Sequence, residues 1–422
     1  YPQGSNQRFQ RVHRFPLCQA YPGALNFLTI PIIGRRRSPE TGGGMWGAIT
    51  RVVTSHPAIS VVITAAILLG LTAPVLTLEL GSGGISMLPD HTDERHAFDV
   101  VIEEFSDGII TADIVVLAPD VSDSAVQDAI DTLIVTLGTD DFFGTAETMT
   151  SPNGDLVDVK VSIAGDISSD ESIAGVQRLR DEYIPAAFAG VNAEVLVGGG
   201  TAEVIDSVAL VWQYVPLIMA AVLAASFLLL LIAFRSIVVP LKAVIMNLLS
   251  VGSAYGMVVL VFQKGVGSAL FGFQEVPVIE SWIPLFLFAI LFGLSMDYHV
   301  FLLSRIKERY DETGDNSGSV LYGLHSTASI ITGAALIMVA VFGGFALGPL
   351  SMFQQMGFGL AVAVILDATI VRMVLVPASM ELLGDKNWYF PSWLEWLPKI
   401  SIEGNPEELP VIEAVAQPAV GD

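Results

Sequence analysis

The stretch GLSMDYHVFLLSRIKERY, residues 293–310, sets an aspartate, a tyrosine and a histidine side by side in an apolar run that ends in a basic cuff. A carboxylate at that depth of a bilayer has no water to solvate it, a cost on the order of several kcal/mol, so intramembrane acids face protein or a polar cavity and carry ions or protons. Asp297, able to exchange between protonated and ionised forms beside the hydroxyl of Tyr298, supplies the minimum chemistry of a proton relay. Moving one charge across 100 mV is worth ~2.3 kcal/mol, enough to bias a conformational cycle. Residues three or four apart share a helical face, so Phe286, Ala289, Gly293 and Asp297 form one stripe. Its small members admit a second helix closely, and Asp297 is expected to face protein, not lipid. The alternative role for such an acid is interhelical glue. His299 is turned about 100° further round the helix; it could shuttle protons or sit neutral against a neighbour. A second acid, Asp367, lies five residues before Arg372, which leaves an ion pair, an interfacial placement and an accessory relay role all open.

Positioning these groups requires helices long enough to cross a bilayer core of about 30 Å, or ~20 apolar residues each. Such runs occupy 57–77, 213–234, 238–262, 283–303, 328–347 and 353–377, an arrangement of one span and then five. Short cytoplasmic loops collect Lys and Arg. Arg35, Arg36, Arg37 and Arg51 precede the first span, Arg235 and Lys242 join the second to the third, Arg305, Lys307 and Arg309 follow the fourth, and Arg372 ends the sixth. The crossings alternate consistently, which puts both ends of this chain in the cytoplasm and residues 82–208 outside. The expected organisation is a cytoplasmic linker over 1–55, a first transmembrane helix over 56–80, an extracytoplasmic α/β domain over 81–210, a five-helix bundle over 211–380 and an acidic, partly disordered cytoplasmic tail over 381–422. In the outer region, helical and alternating patterns follow in the order α/β/α/β/β/α/β, with a hairpin at Asn153-Gly154. That order suits a ferredoxin-like split βαβ sandwich, whose last helix, GTAEVIDSVALVWQYV, runs on into the second span. Trp212, Trp282, Trp388, Trp393 and Trp396 read as interface anchors.

Composition narrows the function. Of 422 residues, 52% are hydrophobic and 15% charged, with a mean hydropathy of +0.62, which points to an integral membrane protein. The 43 acidic against 20 basic residues give a net charge of -23, the wrong sign for nucleic-acid binding. A single cysteine, Cys18, excludes an intramolecular disulfide. No GxxxxGK[ST] loop is present for a nucleotide-driven pump, and the six histidines are scattered, so neither a nucleotide nor a metal cofactor is expected. An intramembrane aspartyl protease built from Asp297 and Asp367 would need a Gly-x-Gly-Asp signature, where this chain has GLSMD. The first residue is Tyr1, and no signal-peptide pattern follows it, so the chain reads as a piece of a longer one.

The segments FGLSMDYHVFLLSRIKERYDETGD, ALIMVAVFGGFALG and GFGLAVAVILDATIVRMVLVPASMELLGDKNWYFP, in that order, closely resemble the MMPL (mycobacterial membrane protein large) family of the resistance-nodulation-division superfamily. FRSIVVPLKAVIMNLLSVGSAYG and GRRRSPETGGGMWGAITRVVTSHP fit the same pattern. The resemblance implies the C-terminal half of a two-half exporter in the bacterial plasma membrane, with a porter-type external domain. Such exporters use the proton motive force to move lipids or other amphiphiles outward. It also implies that Asp297 and Tyr298 are one half of a proton relay, completed by an equivalent pair in an N-terminal half. His299 stands where relatives commonly have Glu. A non-transporting lipid or sterol sensor of the same architecture is the rival reading, and assembly into a homo-oligomer is compatible with either.

Overall fold

Apolar length sets the architecture. The computed structural model describes residues 53–89, 92–104 and 110–397; most of the expected linker and the tail from 398 onward lie outside the described residues. Among the described residues six helices are long and apolar enough to cross a membrane. The first is α1 (Pro57–Thr72), extended by a 3₁₀ turn to Thr77. Then comes an α/β layer, and after it five more spans. They are α5 (Gly200–Phe234), α6 (Val238–Val258, extended to Gln263), α7 (Ile283–Thr313), α8 (Asn316–Ala346) and a last, composite span from Ser351 to Trp388. This last span consists of α9 (Ser351–Leu366), a π-helical segment (Asp367–Leu375), α10 (Val376–Leu383) and a closing 3₁₀ turn. Four of the spans outrun the apolar stretches that marked them by ten residues or more. With a rise of 1.5 Å per residue, the 35 residues of α5 reach about 52 Å, well beyond a bilayer core.

The α/β layer contains α2 (Asp93–Glu104), β2 (Thr111–Leu117), α3 (Ser124–Leu137), β3 (Phe143–Thr150), β4 (Leu156–Ile163), α4 (Asp170–Arg178) and β5 (Glu194–Gly199). Its sheet has the order β3-β4-β2-β5, with every pair antiparallel. Alternation along the strands explains the layering, because successive side chains leave opposite faces. Ala112, Ile114 and Val116 on β2 and Val157, Val159 and Val161 on β4 point inward, onto Leu133 and Leu137 of α3 and Val176 of α4. α3 and α4 each open on a side-chain cap: Asp123 accepts from the N–H of Ala125 and Ser169 from that of Ser172, filling orphan donors of the first turn. Asp140 joins α4 to the strands by accepting from Arg178 at 2.9 Å and from the Tyr183 hydroxyl at 2.9 Å. Burial pushes its carboxyl up, but these bonds and one from the Phe142 N–H outweigh it and hold Asp140 below the usual carboxylate range.

β5 passes into α5 without a loop. The turn is made at Gly199, whose φ of 101° lies in the left-handed region, and where a side chain would meet the Thr111 carbonyl at 2.4 Å, so only glycine fits. Arg180 braces the joint, donating to Asp206 on α5 and to the Val197 carbonyl on β5. A second joint is a parallel pair of two-residue strands, β1 (Leu80–Gly81) and β6 (Ile279–Glu280), which ties the end of the first span to the start of α7. At this joint Glu280 accepts from the Gly83 N–H, while its burial raises its carboxyl above the ordinary range.

Within the bundle, backbone approach decides the packing. A side chain on Gly256 of α6 would sit 1.8 Å from the Leu71 carbonyl of α1, and one on Gly357 of α9 2.5 Å from the Phe342 carbonyl of α8. Gly333, Gly343 and Gly344 of α8, by contrast, have nothing within 4 Å of a would-be Cβ. Trp212, Trp282, Trp393 and Trp396 are exposed, but Trp388 is not a free anchor. It stacks on Tyr310 and lies beneath the Lys307 ammonium.

Candidate functional site

α7 begins on Ile283-Pro284, where proline is preorganised for a first turn, and ends at Gly314 in the left-handed conformation. One side of it is core: Leu287, Phe288, Leu291, Phe292, Ser295, Met296, His299, Leu302 and Leu303 are buried. The other carries the stripe of Ala289, Gly293, Asp297 and Phe301, all exposed in this chain. Asp297 thus lies about 21 Å along the helix from Ile283, level with apolar spans, with no hydrogen bond or ion pair among the described residues. Of the expected stripe of Phe286, Ala289, Gly293 and Asp297, Phe286 is half-buried against the core of this chain while the other three are exposed, and a side chain added at Gly293 would touch nothing. The packing that buries α7 lies on its opposite side.

Tyr298 is turned away from its neighbour. Its ring lies under the guanidinium of Arg372, with Cζ 5.1 Å from the ring centre, and its hydroxyl is 3.6 Å from the Met338 sulfur. No bond from Tyr298 to Asp297 exists in this chain. The reason is angular: adjacent residues are separated by about 100° around the helix axis, so an exposed Asp297 sends Tyr298 toward the bundle.

The buried polar chemistry gathers instead around Asp367 and Arg372. On an α-helix, residues five apart diverge by about 140°. The Asp367–Leu375 segment is π-helical, and i→i+5 hydrogen bonding brings these two side chains onto one side. Arg372 donates to Asp367 Oδ2 from Nε at 2.9 Å and lies 2.8 Å from it through Nη2. Both are buried, Arg372 to 1% exposure and Asp367 to 7%. Nη2 also donates to the backbone carbonyl and, at 3.3 Å, to the hydroxyl of Ser295 on α7. The Ser295 hydroxyl lies 3.0 Å from Asp367 Oδ1 and 2.7 Å from Oδ1 of Asn247 on α6. Three segments thus converge on one ion pair. A small cavity, with room for about one water, is lined by Asn247, Ser295, Tyr298, Asp367 and Arg372 together with apolar side chains such as Ile331 and Met338 of α8. Arg372 Nη1 and Asn247 Nδ2 are buried without a partner.

His299 is buried, and its Nδ1 has no hydrogen-bond partner. It shares this side of α7 with Ser295, one turn away. Of the residues expected to carry chemistry, the fold therefore separates Asp297 from Tyr298 and gathers Tyr298 with Asp367. Asn247 and Ser295 were not singled out as a pair; their signal is a polar residue in each of two apolar spans, 48 positions apart, and nothing local connects them. Among the described residues no group of three or more His, Cys, Asp or Glu side chains could hold a metal ion.

Comparison with known proteins places this geometry. A sequence model of the MMPL family matches residues 109–396. The mycolic acid-containing lipids exporter MmpL11 of Mycolicibacterium smegmatis is 34% identical over 90% of this chain and 40% of its own length. The trehalose monomycolate exporter MmpL3 of the same organism is 32% identical over 84% of this chain and 36% of its own length. The heme uptake protein MmpL11 of Mycobacterium tuberculosis is 45% identical over 50% of this chain and 22% of its own length. The chain thus spans well under half the length of these relatives, while the family match takes in the α/β layer from β2 onward and the five spans that follow it. The chain belongs to the MMPL family.

Proposed function

We propose that this chain is the second half of a proton-driven exporter of lipids or other amphiphiles, with Asp297 as the protonation switch. The observation that carries the proposal is the exposed, unpartnered carboxylate of Asp297 on a stripe of small residues at the level of the apolar spans. Such a group needs a polar partner, and the stripe fits the close approach of another helix. Relatives more than twice the length of this chain give that helix a source in an N-terminal half. Tyr298, stacked against Arg372, would link the Asp297 turn to the buried ion pair, with Asp367 as the accessory acid and His299 beside it. The order β3-β4-β2-β5 supports reading the α/β layer as a ferredoxin-like porter domain outside the plasma membrane, with both ends of this chain cytoplasmic. The lipid cargo is drawn from the printed names of two relatives; the heme named for a third is itself amphiphilic.

The test is transport by the full-length protein in proteoliposomes with an imposed proton gradient and a fluorescent lipid as cargo. Asp297→Asn should abolish gradient-driven movement of the lipid while Asp297→Glu keeps part of it. Equal rates in the parent and Asp297→Asn would instead favour the sensor reading.

A further inference from the structure

The hydrogen count around Ser295 does not close. Its hydroxyl carries one proton and sits within bonding distance of two oxygens, Asn247 Oδ1 at 2.7 Å and Asp367 Oδ1 at 3.0 Å. An amide carbonyl and a carboxylate are acceptors only. Arg372 Nη2 is the third neighbour and donates, at 3.3 Å, so it brings no acceptor for the hydroxyl and no proton for the short contacts. With Asp367 ionised and the amide as placed, one of the two oxygen–oxygen contacts has no hydrogen in it. All three side chains are nine-tenths or more buried, and at 2.7 and 3.0 Å the oxygens are in direct contact, so no water lies between them.

Two arrangements close the count. In the first Asp367 is ionised and the Asn247 amide is turned over: Nδ2–H donates to Ser295 Oγ, and the Ser295 hydroxyl donates to the carboxylate. The amide carbonyl then occupies the place where Nδ2 has no partner, beside a cavity lined also by Arg372, whose Nη1 lacks an acceptor. In the second, Asp367 has taken a proton on Oδ1. Its O–H donates to Ser295 Oγ, and the Ser295 hydroxyl donates to the Asn247 carbonyl, which is the amide orientation present. Passing from one to the other needs one proton, delivered by hydronium and leaving water behind, plus rotation of one hydroxyl and one amide. No other bond is made or broken.

We propose that Ser295 and Asn247 are positioning residues that read the protonation of Asp367, as a three-residue chain of hydrogen bonds whose direction reverses when the carboxyl takes up a proton. The proposal rests on the proton-driven reading above. It adds a consequence for α6, because the amide that turns belongs to the helix packed against α1, where Ser253 donates to the Leu68 carbonyl. Few other charged or titratable side chains surround Asp367 within the chain. Arg372 pairs with it on its own segment. Tyr298 and His299 face the region from α7, the latter within electrostatic reach of Arg372 and of Lys242 on α6. α8 faces it with Ile331, Ala335 and Met338; α1 and α9 have no charged residue; and Glu381 of α10 is engaged by the Ser317 hydroxyl.

The experiment is pH-difference infrared spectroscopy on the full-length protein in lipid bilayers, with 13C-labelled asparagine. The Asp367 carboxyl band is assigned by its loss in Asp367→Asn, and the Asn247 amide band by its loss in Asn247→Ala. In the parent the two bands should change together across one titration. In Ser295→Ala the carboxyl band should still titrate while the amide band stands still, and Ser295→Thr, which restores a hydroxyl, should restore the linked change. An amide band that is silent in the parent, or that moves equally in Ser295→Ala, overturns the proposal, as does the absence of any carboxyl band that Asp367→Asn removes. None of these outcomes touches the Asp297 reading, which is decided separately by gradient-driven transport in Asp297→Asn.

Discussion

Removing Arg372 should be far more damaging than removing the whole ion pair to which it belongs. The guanidinium is 1% exposed and holds one carboxylate oxygen through Nε at 2.9 Å and Nη2 at 2.8 Å. Arg372→Met leaves the Asp367 carboxylate buried with the Ser295 hydroxyl as its one remaining donor. Breaking a buried pair in this way costs about 3–5 kcal/mol, because the surviving charge stays desolvated and uncompensated. Replacing both partners by apolar residues of similar volume is commonly neutral or stabilising, by up to about 4 kcal/mol. Asp367→Leu combined with Arg372→Met should therefore unfold within about 1 kcal/mol of the parent, or later, giving a coupling energy of at least about 3 kcal/mol in the double-mutant cycle. The assay is reversible unfolding in mixed micelles, followed by loss of helical circular dichroism. Under the proposed function the same double variant should fail in gradient-driven transport, because it keeps the packing and discards the accessory acid and its partner. A single variant within 1 kcal/mol of the parent, or a double variant no better than the single, would refute the claim that the pair is dry and mutually dependent.

Two further outcomes follow from geometry elsewhere. Gly256→Ala places a methyl group 1.8 Å from the Leu71 carbonyl, a backbone atom that cannot swing aside. The variant should lose at least the ~1–3 kcal/mol typical of overpacking, with loosened contact between α1 and α6 visible as faster amide hydrogen exchange near Leu71; unchanged exchange there would refute it. Asp140 is held below its ordinary value of 3.8 by the bonds it accepts from Arg178, Phe142 and Tyr183. A depressed carboxylate adds stability that is present above its unfolded value and lost as pH falls through its folded one. Hydrogen exchange in β3 and β4 should therefore accelerate below about pH 4, and Asp140→Asn should flatten that acid limb without introducing an alkaline one.

The spans were legible because length and hydropathy are sufficient to find a bilayer-crossing helix. The strands were legible because TADIVVL and LVDVKVSI alternate with the sheet's own period. The site was legible only in part. Asp297 was found because a charge in an apolar run stands out in one dimension, but which side of α7 it faces depends on where α6, α8 and α9 pack, and they pack on the other side. Asp367 and Arg372 stand out equally, yet their spacing argues against contact on an α-helix; the extra residue per turn of a π segment is what joins them, and no local pattern announced it. Asn247 and Ser295 read as ordinary polar residues of membrane helices until the fold set them 2.7 Å apart. β1 and β6, at two residues each, are too short to show any period at all.

The two membrane acids differ in what remains to be supplied to them. Asp367 already has a cation on one oxygen and a hydroxyl on the other, so a change in its charge can be answered inside this chain, by Ser295 and Asn247. Asp297 has neither among the described residues, so under the proposed function a change in its charge would be answered by the helix that packs on the stripe of Ala289 and Gly293. Tyr298 is the residue between them, since it follows Asp297 directly and lies against the guanidinium that holds Asp367. A rotation of α7 that drew Asp297 toward a partner would carry Tyr298 off Arg372 and pull Ser295 from the ion pair, because all three side chains sit on one rigid helix. Such a rotation would couple the exposed acid to the buried one, although no hydrogen bond connects them.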